Sequence, residues 1–234
     1  MTTVRARLMG LFLLSLIRIL TGAQARWQGC PPKAEQRIYF ANHQSHADLV
    51  LMWAALPAEL RSITRPIAAR DYWCKTNFKR WITSAVFNAI YIDRIPQNNG
   101  GQIPIKSADS SKPEKELESD PHLFEPLPVS LQPLVDALEQ GDSIILFPEG
   151  TRGNQEEPQR FKAGLWHLAR RFPGVVLVPA WINNVQRVMP KGEIVPVPIL
   201  CSVTFGAPVV LASGEDKAAF LSRARLAVMA LRET

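Results

Sequence analysis

The sequence predicts an α/β fold: a single domain with a mixed, largely parallel central sheet flanked by helices, preceded by an N-terminal membrane-associated helix. Three observations predict it. Short continuous apolar runs, Ile38-Tyr39-Phe40, Ile144-Ile145-Leu146-Phe147 and Val175 to Trp181, have the length of buried strands. Segments of helical periodicity alternate with them, the pattern of a sheet covered by helices. A chain of 234 residues, 47% of them hydrophobic, is long enough to enclose its own core.

The formal net charge of +6 suits an anionic partner, whether a phosphorylated substrate, an anionic lipid surface or nucleic acid. Cys30, Cys74 and Cys201 are widely separated and odd in number, which argues against a disulfide framework or structural zinc site and for a reducing compartment.

Residues 1–30 carry Arg5, Arg7, Arg18 and Arg26 and no acidic residue. The apolar stretch Leu8 to Leu20 would span about 20 Å as a helix, short against a hydrocarbon core of about 30 Å. A basic start followed by an apolar run resembles a signal peptide, but Arg18 interrupts the run. A helix lying in the membrane interface fits better, and a buried helix of a soluble domain is the competing reading. This places a boundary at residue 30, with 31–234 as the main domain.

Arg37 to Phe40 reads as a strand and Asp48 to Leu56 as a helix ended by Pro57. Between them lies Asn42-His43-Gln44-Ser45-His46-Ala47-Asp48. An imidazole titrates near neutrality and suits proton abstraction, and a nearby carboxylate can fix its tautomer, so His43 and Asp48 form a candidate catalytic pair. Ser45 is read as a turn or cap residue and His46 as structural. Ile63 to Ala69 is ambiguous. Residues 61–94 carry seven basic side chains interleaved with Tyr72, Trp73, Phe78, Trp81 and Phe87. That mixture fits a membrane interface or a solvated basic helix face, and no nucleic-acid fold signature accompanies it. Ala89 to Ile92 reads as a strand that delivers Arg94 at its end, where open sheets place ligand-binding side chains.

Residues 96–130, rich in Pro, Gly, Ser and Asn, read as a mobile surface insertion. Leu131 to Gln140 is an amphipathic helix stopped by Gly141. After the strand at 144–147, Pro148-Glu149-Gly150-Thr151-Arg152-Gly153 forms a turn that exposes Glu149 and Arg152. Arg offers a donor fork that matches phosphate, and Lys162 sits near the start of the next helix, a favourable place for an anion. His167, within that helix, is read as structural. A strand over Leu200 to Phe205 and a capped helix running to Leu231 complete the chain.

Taken together, the blocks Asn42-His43-Gln44-Ser45-His46-Ala47-Asp48, Tyr91-Ile92-Asp93-Arg94, Phe147-Pro148-Glu149-Gly150-Thr151-Arg152, Phe161-Lys162-Ala163-Gly164 and Val178-Pro179-Ala180 resemble, in their order, the motifs of the glycerophospholipid acyltransferase family of the 1-acylglycerol-3-phosphate acyltransferase type. The resemblance covers about residues 35–205. It implies transfer of a fatty acyl group from acyl-CoA or acyl-acyl carrier protein to the sn-2 hydroxyl of lysophosphatidic acid, with His43 as base and Asp48 as its support. It implies Glu149, Gly150 and Thr151 at the acceptor site, and Arg94, Arg152 and Lys162 on the acceptor phosphate. It implies no metal and no cofactor beyond the thioester donor. Membrane lipids and a lysolipid acceptor are the expected partners, nucleic acid is not, and the expected location is the inner membrane or cytoplasmic membrane surface with the site facing the cytoplasm. The alternatives are another lysolipid acceptor, such as a lysophospholipid or aminoacyl lysolipid, and a non-catalytic lipid-surface binding module.

Overall fold

The computed structural model describes residues 4–22, 24–45, 47–93, 128–153, 157–183 and 200–232. His46, Arg94 and all of the expected insertion before residue 128 lie outside them. The described chain forms a seven-stranded sheet between two helical layers. The strands are β1 (Gln24–Trp27), β2 (Arg37–Ala41), β3 (Thr64–Ala69), β4 (Ile90–Ile92), β5 (Ser143–Leu146), β6 (Val176–Asn183) and β7 (Ser202–Phe205), in the order β1-β7-β6-β2-β5-β3-β4. From β6 to β4 every neighbouring pair is parallel. Strand β7 runs antiparallel to β6 and parallel to β1, so the sheet is mixed and largely parallel, as the sequence predicts.

The central strands are buried on both faces, which is why they read as unbroken apolar runs. In β2, Tyr39 and Ala41 face one layer while Ile38 and Phe40 face the other. The first layer holds α1 (Val4–Thr21), α2 (Asp48–Ala55) and α3 (Ala58–Ser62), with Leu14, Met52, Trp53 and Leu60 in its core. Two short helices, α4 (Arg70–Trp73) and α5 (Asn77–Trp81), follow β3, and α5 continues into a π-helical turn, Ile82–Val86. The second layer holds α6 (Gln132–Glu139), α7 (Gly164–Arg171) and α8 (Lys217–Met229). Helix α8 buries Phe220, Ala224 and Val228, one residue per turn, and the Asp216 carboxylate caps it by accepting the Ala218 and Ala219 N–H groups.

Two features differ from the sequence reading. The ambiguous run at 63–69 is a strand, because it completes the ladder between β5 and β4. Gln24–Trp27 is also a strand, which apolar patterning does not predict since three of its four residues are exposed; pairing with β7 holds it at the sheet edge. The described residues among the first 30 therefore pack with the sheet. Helix α1 packs Ala6, Leu13, Leu14 and Ile17 inward, and Gly10 lets it approach Val86, whose Cγ1 lies 3.4 Å from where a Cβ would stand.

Connections from the adjacent strands β2 and β5 leave in opposite directions across the sheet. The chain after β2 passes through α2 on one face toward β3, and the chain after β5 passes through α7 on the other face toward β6. Such a divergence opens a crevice at the carboxyl ends of the two strands, the usual ligand position in open α/β sheets.

Candidate active site

Both strongest sequence motifs emerge at that crevice. Strand β2 ends at Ala41 and delivers Asn42 and His43; β5 ends at Leu146 and delivers the 147–153 turn. His43 and Asp48 meet. Asp48 is the first residue of α2, with its side chain 1% exposed, and its Oδ2 lies 2.9 Å from His43 Nδ1. The same oxygen accepts the N–H groups of Gln44 at 2.6 Å and Ser45 at 2.8 Å. Three donors on one oxygen fix the carboxylate's orientation. With Nδ1–H donated to it, Nε2 keeps its lone pair, which is the tautomer a general base needs. The imidazole is 17% exposed and stacks on the Phe147 ring at 4.4 Å between centroids.

Ser45 acts as a turn residue: its Oγ accepts the Ala47 N–H at 3.2 Å. His167 is buried in α7, its ring against Trp166.

The 147–153 turn does two things. Glu149 points inward, 2% exposed, with Oε1 accepting the His43 N–H at 2.7 Å and Oε2 accepting the Gln159 N–H at 2.8 Å. Burial pushes its carboxyl above the ordinary carboxylate range, against the two amide hydrogen bonds and His43, which pull it down. Gly150, Arg152 and Lys162 are exposed and Thr151 is half-buried. Gly150 adopts φ +70°, a conformation glycine takes without steric cost, and its missing side chain leaves room for Lys162: a Cβ would stand 2.8 Å from Nζ. Lys162 is held there because its N–H donates to the Pro148 carbonyl at 2.8 Å. Thr151 Oγ1 donates to Gln159 Oε1 at 3.4 Å.

Two contributors carried no assigned role in the sequence reading. Phe147 forms the floor under the imidazole. Asn42, 1% exposed, extends the β2–β6 ladder with its side chain: Oδ1 accepts the Ile182 N–H at 2.8 Å and Nδ2 donates to the Ile182 carbonyl at 3.1 Å. Its place directly after a buried strand is the signal that marks it. Beside the imidazole opens an apolar cleft of about 90 Å³, lined by His43, Leu49, Ile67, Ala69, Tyr72, Trp73, Ile92, Leu146, Phe147 and Gly150. An imidazole beside a narrow apolar cleft, with Lys162 against the cleft-lining Gly150, suits an amphiphilic substrate with an anionic head.

Comparison with curated proteins finds no match. Among solved structures, the fold is similar to that of the 1-acyl-sn-glycerophosphate (LPA) acyltransferase PlsC from Thermotoga maritima, with a TM-score of 0.64 at 18% identity, over 97% of this chain and 78% of that one. A family model described as Acyltransferase matches residues 28–183, the stretch that contains His43, Asp48, the 147–153 turn and Lys162. The chain belongs to the acyltransferase family.

Proposed function

We propose that this acyltransferase moves a fatty acyl group from acyl-CoA or acyl-acyl carrier protein to the sn-2 hydroxyl of lysophosphatidic acid, giving phosphatidic acid. The observation that carries the reading is the His43–Asp48 pair, oriented by backbone amides beside an apolar cleft whose lining residue Gly150 is met by Lys162. His43 Nε2 takes the acceptor hydroxyl proton as the oxygen attacks the thioester carbon. The tetrahedral intermediate collapses by expelling the thiolate, which recovers that proton from the imidazolium. Asp48 stabilises the imidazolium in between. No acyl group is carried on the enzyme. Arg152 and Lys162, with Arg94, bind the acceptor phosphate, and Gly150 and Thr151 shape the turn that presents them.

Helix α1 supports a membrane-surface location. Val4, Leu8, Leu11, Phe12, Leu16 and Ile19 fall on one face and are exposed, Ile19 to 80%, while the opposite face packs into the core. Arg5, Arg7 and Arg18 are exposed along the same helix, and Phe78 of α5 adds an exposed aromatic. An apolar stripe with basic neighbours suits the boundary between acyl chains and anionic headgroups. Among the described residues no helix is long and apolar enough to cross a membrane. The reading places the protein on the cytoplasmic surface of the membrane, where lysolipid and product partition.

A panel of lysolipid acceptors offered with both thioester donors, product identified by mass, tests the assignment. Phosphatidic acid is the expected main product, and Arg152→Ala should raise the KM for lysophosphatidate at least about tenfold, the loss of a charge-assisted contact to phosphate. Preference for a zwitterionic acceptor, or an unchanged KM, would replace the phosphate assignment.

A further inference from the structure

We propose that Glu149 is a positioning residue for the transfer base and not a ligand of the acceptor: its carboxylate ties the main chain of His43 to the segment that carries Lys162. The inference rests on the reading of His43 as the base.

The carboxylate joins three separate pieces of chain. Its Oε1 accepts the N–H of His43, 106 positions away, at 2.7 Å, and its Oε2 accepts the N–H of Gln159 at 2.8 Å. The same turn takes the other main-chain group of His43, because Gly153 N–H donates to the His43 carbonyl at 2.9 Å. Both backbone groups of the base are thus held by the 149–153 turn, one residue after Asn42 is pinned to β6 on the opposite side. Lys162 is tied to this turn through Pro148. The base and the cation that faces the acceptor therefore share one support.

A carboxylate is the side chain this position requires. Two N–H donors converge on it, and only two acceptor oxygens with no hydrogen of their own satisfy both. A glutamine would turn an NH2 toward one of the donors, and an aspartate is one methylene too short to reach both. With 2% exposure and an oxygen committed to each amide, Glu149 has no surface with which to meet an acceptor.

The test uses the full chain on lipid vesicles, with Glu149→Gln and Glu149→Asp, the second serving if the first does not fold. Steady-state transfer from acyl-CoA to lysophosphatidate is measured alongside amide hydrogen exchange of the segments containing His43 and Gln159. The expected result is kcat lowered roughly 100-fold, the loss that a misplacement of about 1 Å produces. The acceptor KM, touched only through the Lys162 segment, should change far less than kcat, and exchange should be faster at His43 and Gln159. A raised acceptor KM with kcat and His43 exchange unchanged would overturn the proposal and make Glu149 an acceptor ligand. Unchanged exchange in both variants would also overturn it. The exchange measurement needs no substrate, so it reads the tie between segments even where no lysophosphatidate acylation is found, and the two readings fail separately.

Discussion

At the residue scale the site depends on how one imidazole is held. Its ring is fixed by Asp48 and Phe147 and its backbone by Glu149 and Gly153. His43→Ala removes the proposed base and should lower kcat by about 10²–10⁴-fold. Asp48→Asn substitutes an amide for an acceptor that serves three donors, presents the wrong hydrogen-bonding partner to Nδ1, and should cost up to about 10⁴-fold in kcat. Steady-state kinetics beside a thermal melt checks both, with a retained melting transition separating lost chemistry from lost fold. Activity that survives in His43→Ala would end the assignment. Glu149 gives a pH prediction. Its carboxyl titrates above the ordinary carboxylate range because it is buried, so the folded protein holds that proton more tightly than the unfolded chain. The sign follows: the stabilisation is complete below the unfolded value and is lost as pH rises through the folded one. Urea midpoints of wild type and Glu149→Gln, compared from acid pH upward, should show the wild type losing ground to the variant as pH climbs through this window.

At the scale of elements, α1 is apolar on both faces, and its two faces have different tasks. Ala6, Leu13, Leu14 and Ile17 anchor it to the sheet layer, while Leu8 and Phe12 are about 60% exposed. Burying one such side chain is worth about 1.5–3 kcal/mol. Replacing Leu8 and Phe12 together by Gln should therefore weaken binding to anionic vesicles by at least about tenfold while leaving the melting temperature in solution nearly unchanged. Vesicle co-sedimentation measures the first and calorimetry the second. Equal binding by wild type and the double variant would remove α1 from the membrane surface. The 147–153 turn shows the same division within seven residues: Glu149 faces the interior and holds the His43 main chain, whereas Gly150 and Arg152 face outward.

At the scale of the whole molecule, the sheet order brings residues from distant parts of the chain to one crevice. β2 and β5 are separated by about a hundred residues and lie side by side, so His43 and Glu149 come within hydrogen-bonding distance. The helices that leave these strands lie on opposite faces of the sheet, and the cleft opens where they part.

Much of this was legible in the sequence. Buried parallel strands are apolar without interruption, and so β2, β5 and β6 could be read along with the helices α2, α6 and α8. The candidate pair was legible because a short connection from strand end to helix start, with His43 and Asp48 five positions apart, leaves them little freedom to separate. Edge strand β1 was not legible, since its pattern is exposed and its pairing with β7 lies about 180 residues away. The direction of Glu149 was not legible either. A turn rich in Pro and Gly reads as exposed, and only the sheet order determines that two amide groups from other segments converge beneath it. By itself the sequence determined the fold class, the strands of the sheet centre and the pairing of the His43 imidazole with the Asp48 carboxylate, because these follow from local periodicity and short connections. The tertiary structure alone decided which motif residues face outward and which face inward, because that depends on donors and acceptors supplied by chain far away.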